Sequence, residues 1–252
     1  MLTSRRFLFR RLKMLSFLDE LETDDSEAKS LYVPSGLLLP ELESLLQIVL
    51  GVQKIPPGLA ELAAGSETGA IVFWGSSRGR LVLPPFPVTE KYLTDGYDVE
   101  PLRALLRHDF MLALILVRLG AYAVGVCRGE MLIASKVGTG LVHARHKKGG
   151  SSQHRFARHR EKQIEQFLDR VCGHVQERLE PYAQALDYVV YGGARVTIRS
   201  LRKRCSFLCR FDNRALPPLL DIPDPRKAVL EAAVGRVWAS SLIEWYDSGV
   251  LP

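Results

Sequence analysis

The sequence predicts an α/β (α+β) protein, a mixed sheet flanked by helices and preceded by a small α+β amino-terminal domain. Three observations carry this reading. Residues 110–117, 120–127 and 130–135 are consecutive strand-like runs joined by two-residue turns, which makes a meander. After the meander, helical and strand patterns alternate, as they do when helices cover a sheet. Ahead of it, Pro84, Pro85 and Pro87 forbid strand continuation and mark a boundary. The expected division is therefore residues 1–100 and residues 101–252.

In the first part, residues 7–22 read as an amphipathic helix with Leu8, Leu12, Leu15 and Leu18 on one face. The polar run 22–29 leads to a short strand at 30–33, stopped by Pro34-Ser35-Gly36. Pro40 suits the first position of a helix that continues through 42–49. Residues 70–74 and 80–83 read as a hairpin around a Gly-Ser-Ser-Arg-Gly turn.

The second part opens with a short helix, 101–107. The run 110–117 is apolar enough to be buried on both faces. Ile164, Phe167, Leu168, Val171, Val175 and Leu179 fall on one helical face and predict a long helix over 154–180. A buried strand at 187–191, a basic helix at 194–208, a short strand at 219–222 and a last helix from Pro225 to Tyr246 complete the pattern.

The bulk properties are those of a folded protein: 252 residues, 47% hydrophobic, 25% charged. A net charge of +6 favours an anionic partner. The four cysteines, 127, 172, 205 and 209, contain no CxxC pair, so reduced cytoplasmic thiols are expected. The run 110–117 is too short to span a bilayer. The basic stretch 5–13 runs directly into Leu15, Leu18 and Leu21 without a cleavage pattern, so it reads as the first helix and not as a targeting signal. The expectation is a soluble, cytoplasmic chain with no membrane partner.

The charge is concentrated. From Met131 to Arg160 there is no Asp or Glu but there are seven cations: Lys136, Arg145, Lys147, Lys148, Arg155, Arg158 and Arg160. At their centre lies the uncharged Gly149-Gly150-Ser151-Ser152-Gln153. The two glycines allow close backbone approach to a ligand, and either serine can cap the following helix. Arg155, Arg158 and Lys162 share a helix face suited to a phosphate backbone, and His154 and Phe156 suit unpaired bases. Gln153 does not titrate; its chemistry is to orient a water or donate to an oxyanion. A solvated or loosely RNA-binding basic surface is the plainer reading of the same charge.

Other chemistries fit poorly. His143, His146, His154 and His159 cluster among cations with no carboxylate nearby, which disfavours a metal. Gly149-Gly150 does not make a Walker loop, and neither GxSxG nor HExxH occurs. Asp109, Glu130, Asp187 and Asp221 show no spacing that would build a two-metal centre. No metal or cofactor is expected.

Meander, basic loop, Gly-Gly-Ser-Ser-Gln and long helix, in that order, resemble the central domain of the eukaryotic and archaeal class I release factors. Those carry a GGQ loop at this place in a ribonuclease H-like fold. The nearer likeness is to the Vms-like release factor family, peptidyl-tRNA hydrolases of ribosome quality control and their bacterial and archaeal relatives. There the motif loosens to GxxQ, read here as Gly150-Ser151-Ser152-Gln153, and residues 153–161 are similar to the prokaryotic continuation of it. The likeness covers roughly residues 105–250; residues 18–34 more weakly resemble the opening of release-factor-like proteins. The spacing departs from GGQ, which argues against ordinary stop-codon termination. No third domain of the class I type is expected after Pro252, and no zinc finger or ankyrin repeat is seen.

The resemblance implies a ribonuclease H-like sheet and a ribosome-dependent hydrolase. Its substrate would be peptidyl-tRNA on a stalled large ribosomal subunit, and it would act as a monomer. Gln153 would place the water, with Gly149 and Gly150 admitting the loop. Arg145, Lys147, Lys148, Arg155, Arg158 and Arg160, with Arg195, Arg199 and Arg202 of the basic helix, would contact ribosomal RNA and tRNA. A nuclease acting near the tRNA 3′ end and a non-catalytic ribosome- or RNA-binding module are the alternatives.

Overall fold

The structure, a computed structural model, describes residues 2–22, 28–51, 56–75, 78–142 and 152–247. The chain runs through β1 (Leu2–Phe9), α1 (Arg11–Glu22), β2 (Lys29–Val33), α2 (Leu39–Leu50), α3 (Leu59–Ala64), β3 (Ala70–Trp74), β4 (Arg78–Leu83), β5 (Tyr92–Asp95) and α4 (Glu100–Arg107). It continues with β6 (Met111–Arg118), β7 (Ala121–Arg128), β8 (Met131–Thr139), α5 (Ser152–Leu179) and β9 (Tyr188–Gly193). The last elements are α6 (Arg195–Arg204), β10 (Ala215–Leu220), α7 (Lys227–Val237) and β11 (Ser240–Asp247). Two compact units result, Met1–His108 with Gly235–Pro252, and Asp109–Val234. This division differs from a cut at 100/101 chiefly because the carboxy-terminal strand returns to the first unit.

That unit is a six-stranded antiparallel sheet in the order β1-β11-β4-β3-β2-β5. One face packs on Met14, Leu18 and Leu21 of α1 and Leu102 and Leu106 of α4. The other packs on Leu42, Leu46 and Val49 of α2 and Leu59, Ala60 and Ala63 of α3. Two sequence expectations change here. Residues 2–9 are a strand, not helix: Leu8 and Leu12, half of the supposed apolar stripe, are 72% and 75% exposed, and α1 buries Met14, Leu18 and Leu21 instead. The stretch 240–247 is likewise a strand and not the end of a helix to Tyr246. It lies between β1 and β4, and Gly79 on β4 leaves the space that the Trp245 indole fills.

In the second unit β6, β7 and β8 form the antiparallel meander, β9 runs parallel to β6, and β10 parallel to β9, giving the order β10-β9-β6-β7-β8. This is the mixed sheet expected of a ribonuclease H-like fold. Its tight turns need left-handed backbone, supplied by Gly120 (φ 97°) and Gly129 (φ 57°). Leu112–Val117 are fully buried, as their unbroken apolar pattern requires. One face carries α5 and α6, with Phe167, Val171, Val175, Ile198 and Leu201 packed on Ile115, Val124, Val126 and Val189. On the other, Leu230 of α7 reaches Gly125. The basic helix α6 ends at Arg204 and gives way to a 3₁₀ segment, Ser206–Arg214, and β10 begins at Ala215, earlier than expected.

The thiol expectation also changes. Cys172 of α5 and Cys205, the residue that closes α6, form a disulfide with their Cα atoms 5.4 Å apart. The two lie 33 residues apart, so only the packing of the two helices brings them together. Cys209 is free and exposed. Cys127 is free and buried, and burial pushes its thiol up to about 12.

Candidate functional site

Sheet direction decides where the candidate residues gather. β9 runs parallel to β6, and β8, two antiparallel steps away from β6, points the same way. The carboxyl ends of β8 and β9 therefore share one edge of the sheet. The chain leaves β8 toward α5 and leaves β9 directly into α6, so both helices begin at that edge and run back along the same face.

α5 is longer than the sheet it covers. Its 28 residues span about 42 Å at 1.5 Å per residue. At the end of β8, a Cβ added to Gly140 would come 2.6 Å from the Phe167 ring, so Phe167 lies level with the sheet edge. The first apolar side chain packed on the core is Ile164. The twelve residues from Ser152 to Gln163 thus extend about 18 Å past that point. Arg155 to His159 are all exposed, including Phe156 at 55%.

This overhang is electrostatically unusual. Residues 152–163 hold Arg155, Arg158, Arg160 and Lys162 against Glu161, a net of 4 − 1 = +3, and the first turn has no acid. A helix amino terminus already carries about half a positive charge from its peptide dipoles, so cations there repel it and each other. The half of α5 packed on the core offsets this cost and propagates the helix outward. A polyanion bound at the tip would meet both the cations and the unpaired amide groups of the first turn.

α6 adds a second exposed basic face. Arg195, Arg199 and Lys203 recur at i, i+4 and i+8, are exposed, and have no partner among the described residues; Val196 beside them is 78% exposed. The opposite side buries Thr197, Ile198 and Leu201. Two other arginines of the helix have structural partners. Arg202 donates to Asp212 at 2.6 Å and its guanidinium lies 5.3 Å from the Tyr191 ring centre. Arg204 forks onto both oxygens of Asp169 on α5 at 2.9 Å each and lies 3.4 Å from Glu165. The Arg204 guanidinium holds the Asp169 carboxyl below the usual carboxylate range.

Of the residues singled out from sequence, Arg155, Arg158 and Arg160 lie on the overhang and Arg195 and Arg199 on the open face of α6, all toward one edge. Arg202 is on α6 but engaged with Asp212. Gln153 belongs to the first turn of α5; its side chain, and Arg145, Lys147, Lys148, Gly149 and Gly150, lie outside the described residues. Asp169 and Asp212, which fix α6, were not foreseen, because separations of 35 and 10 residues leave no periodic trace.

Among the described residues no group of three or more His, Cys, Asp or Glu is placed to hold a metal ion. Two of the scattered carboxylates have identified partners: Asp187 accepts the Met111 amide at 2.7 Å, and Asp221 pairs with Arg118 at 3.5 Å. Among the described residues no helix is long and apolar enough to cross a membrane.

Residues 111–243, just over half of the chain, match the model of the Actinobacteria/chloroflexi VLRF1 release factor. The chain belongs to that family. It is also 24% identical over 221 residues to peptide chain release factor subunit 1 of Archaeoglobus fulgidus, covering 77% of this chain and 54% of that one. With peptide chain release factor subunit 1-1 of Methanosarcina acetivorans it shares 29% identity over 133 residues, 52% of this chain and 32% of the other. The chain thus spans about half, or less, of the length of these relatives. Among solved structures, archaeal translation termination factor aRF1 superposes with a TM-score of 0.41 at 17% identity, over 91% of this chain and 73% of that chain. Pelota of Archaeoglobus fulgidus gives 0.30 at 10% identity, over 93% and 62%.

Proposed function

We propose that the protein is a ribosome-associated peptidyl-tRNA hydrolase that releases nascent peptide from stalled large subunits. The observation that carries this reading is the net-cationic start of α5, which has no acid in its first turn, holds Gln153 there and extends about 18 Å past the core. Membership of a release-factor family supports the same reading. Gly149 and Gly150 let the loop before α5 pass close to RNA, and Arg145, Lys147, Lys148, Arg155, Arg158 and Arg160 engage phosphates. Arg195 and Arg199, starting from the same sheet edge, extend the contact; Arg202 serves chiefly to anchor α6 through Asp212. Gln153 orients the water that attacks the ester carbonyl, or donates to the developing oxyanion, while ribosome and tRNA supply the remaining groups. The scissile bond joins the peptide carbonyl to the tRNA 3′ oxygen. Water adds to the carbonyl, the tRNA oxygen leaves with a proton, and the peptide carries away a free carboxylate.

The test is release of labelled peptide from peptidyl-tRNA on isolated large subunits. Replacing Gln153 by Ala is expected to slow release by about a hundredfold, the usual cost of removing one positioning or oxyanion donor. Release at the wild-type rate would refute the role of Gln153. Mass spectrometry of the product separates the reading from a nuclease, which would leave nucleotides on the peptide. A non-catalytic module would leave the ester intact.

A further inference from the structure

We propose that a groove in the first unit, between α1 and the β1–β11–β4 end of its sheet, binds a nucleotide. The inference is independent of Gln153 and of the start of α5. The groove encloses about 440 Å³, within the roughly 300–1,000 Å³ typical of small-molecule sites. Strand alternation creates it. Phe7 and Phe9 on β1 point to the α1 face of the sheet, where Phe17 of α1 meets them. All three rings are half-buried, with centroids 5.8 Å apart for Phe7–Phe9 and 5.9 Å for Phe9–Phe17. The cross-strand row at the next open level is Arg5–Glu244–Arg80.

Charge and shape together select the ligand. Arg80, 6% exposed, is a fixed floor. It donates to the Tyr97 hydroxyl at 3.1 Å, lies 3.5 Å from Glu244, and its guanidinium stands 5.9 Å from the Phe17 ring centre. The lining carries Lys13, Arg78 and Arg80 against Glu20 and Glu244, which leaves a net charge of 3 − 2 = +1. Lys13 is exposed with its Nζ 5.6 Å from the Phe9 ring centre, and Arg78 is exposed without a partner among the described residues. Three phenylalanines offer ring faces and edges to a flat heterocycle, and Lys13 and Arg78 are placed for its phosphate. An acyl anion fits less well, because five ionisable side chains interrupt the apolar lining.

The nucleotide is either free or part of a single-stranded RNA, and one titration separates these. The full chain, carrying Arg155→Ala and Arg158→Ala to weaken the other basic surface, is titrated with mant-labelled AMP and GMP and with fluorescent six-nucleotide RNAs. Binding is expected to fall about tenfold with Phe9→Leu, which keeps apolar bulk but removes the ring, and similarly with Arg78→Glu, an exposed position that leaves the fold intact. Saturable binding of the mononucleotides at the affinity of the RNAs identifies a free nucleotide; binding of the RNAs alone identifies a nucleic-acid strand. The proposal fails if neither probe binds, if both variants bind within twofold of the parent, or if only dodecanoate, tried as a competitor, occupies the groove.

Discussion

Arg155 and Arg158 stand where a helix ordinarily places acids, in the first turns of α5, and nothing in folding rewards them there. Removing both should leave the helix as stable or slightly more so, yet lower the slope of log affinity for RNA against log salt by about two, one for each phosphate no longer neutralised. An unchanged salt slope would mean that they face solvent. Arg204 tells the opposite story: its charge is spent inside the protein. Because Asp169 has a lowered folded-state pKa, the stability of this pair is present above the ordinary aspartate range and lost as pH falls through that lower value. Urea unfolding should therefore show Arg204→Ala less stable than wild type at neutral pH, with the gap shrinking in acid. A gap that persisted at pH 2 would point to packing instead. A run of four cations within residues 199–204 reads as one basic surface in sequence. Which of them are consumed by Asp169 and Asp212 is decided by pairing across helices and turns, and no spacing records that.

At the scale of elements, strong periodicity was legible and short mixed patterns were not. α5 and the first two strands of the meander follow from apolar spacing with bounds close to those observed, whereas β8 runs to Thr139, past the expected end at 135. β1 misled because four leucines happened to fall at helical intervals, although the Arg-Phe-Leu-Phe alternation beside them had the period of a strand. β11 misled because Ser240 and Ser241 look like surface residues, whereas a strand with neighbours on both sides buries them. The α5–α6 pair carries a covalent tie. Closing a 33-residue loop by Cys172–Cys205 corresponds to about 3–4 kcal/mol of lost unfolded-state entropy. Reduction, or Cys172→Ser, should lower the urea-unfolding free energy by about that amount; a change below about 1 kcal/mol would mean that the bond does not form in solution. α1 and α4 are tied by charge instead, the 5%-exposed Arg103 serving Asp19, Glu22 and Glu100. Arg103→Ala should cost about 2–3 kcal/mol, measured by the same unfolding experiment, because three carboxylates lose their shared cation.

For the whole molecule, the class of fold was readable, and the route of the chain between units was not. Local pattern cannot announce that residues 240–247 pair with residues 2–9, the most distant strands in the sequence. The pairing makes a firm expectation. A chain ending at residue 234 keeps every strand of the second sheet but leaves β1 without its neighbour and β4 with an open edge. Hydrogen exchange on it should show protected amides in β6, β7 and β9 and rapid exchange in β1 and β4. Protection of β1 would overturn the assigned register.

That same pairing imposes an order in time. During synthesis the second unit has all of its strands once Val234 has emerged, so it can fold while the chain is still growing. The first unit, although translated first, must wait with β1 and β4 apart until residue 247 has cleared the exit, and then admit β11 between them. A protein proposed to free other chains from stalled ribosomes thus completes its first sheet only after the strands of its second sheet have all been made. Arrest after Val234 and before β11 would yield a chain whose second sheet is whole and whose groove around Phe7, Phe9 and Arg80 has not yet been built.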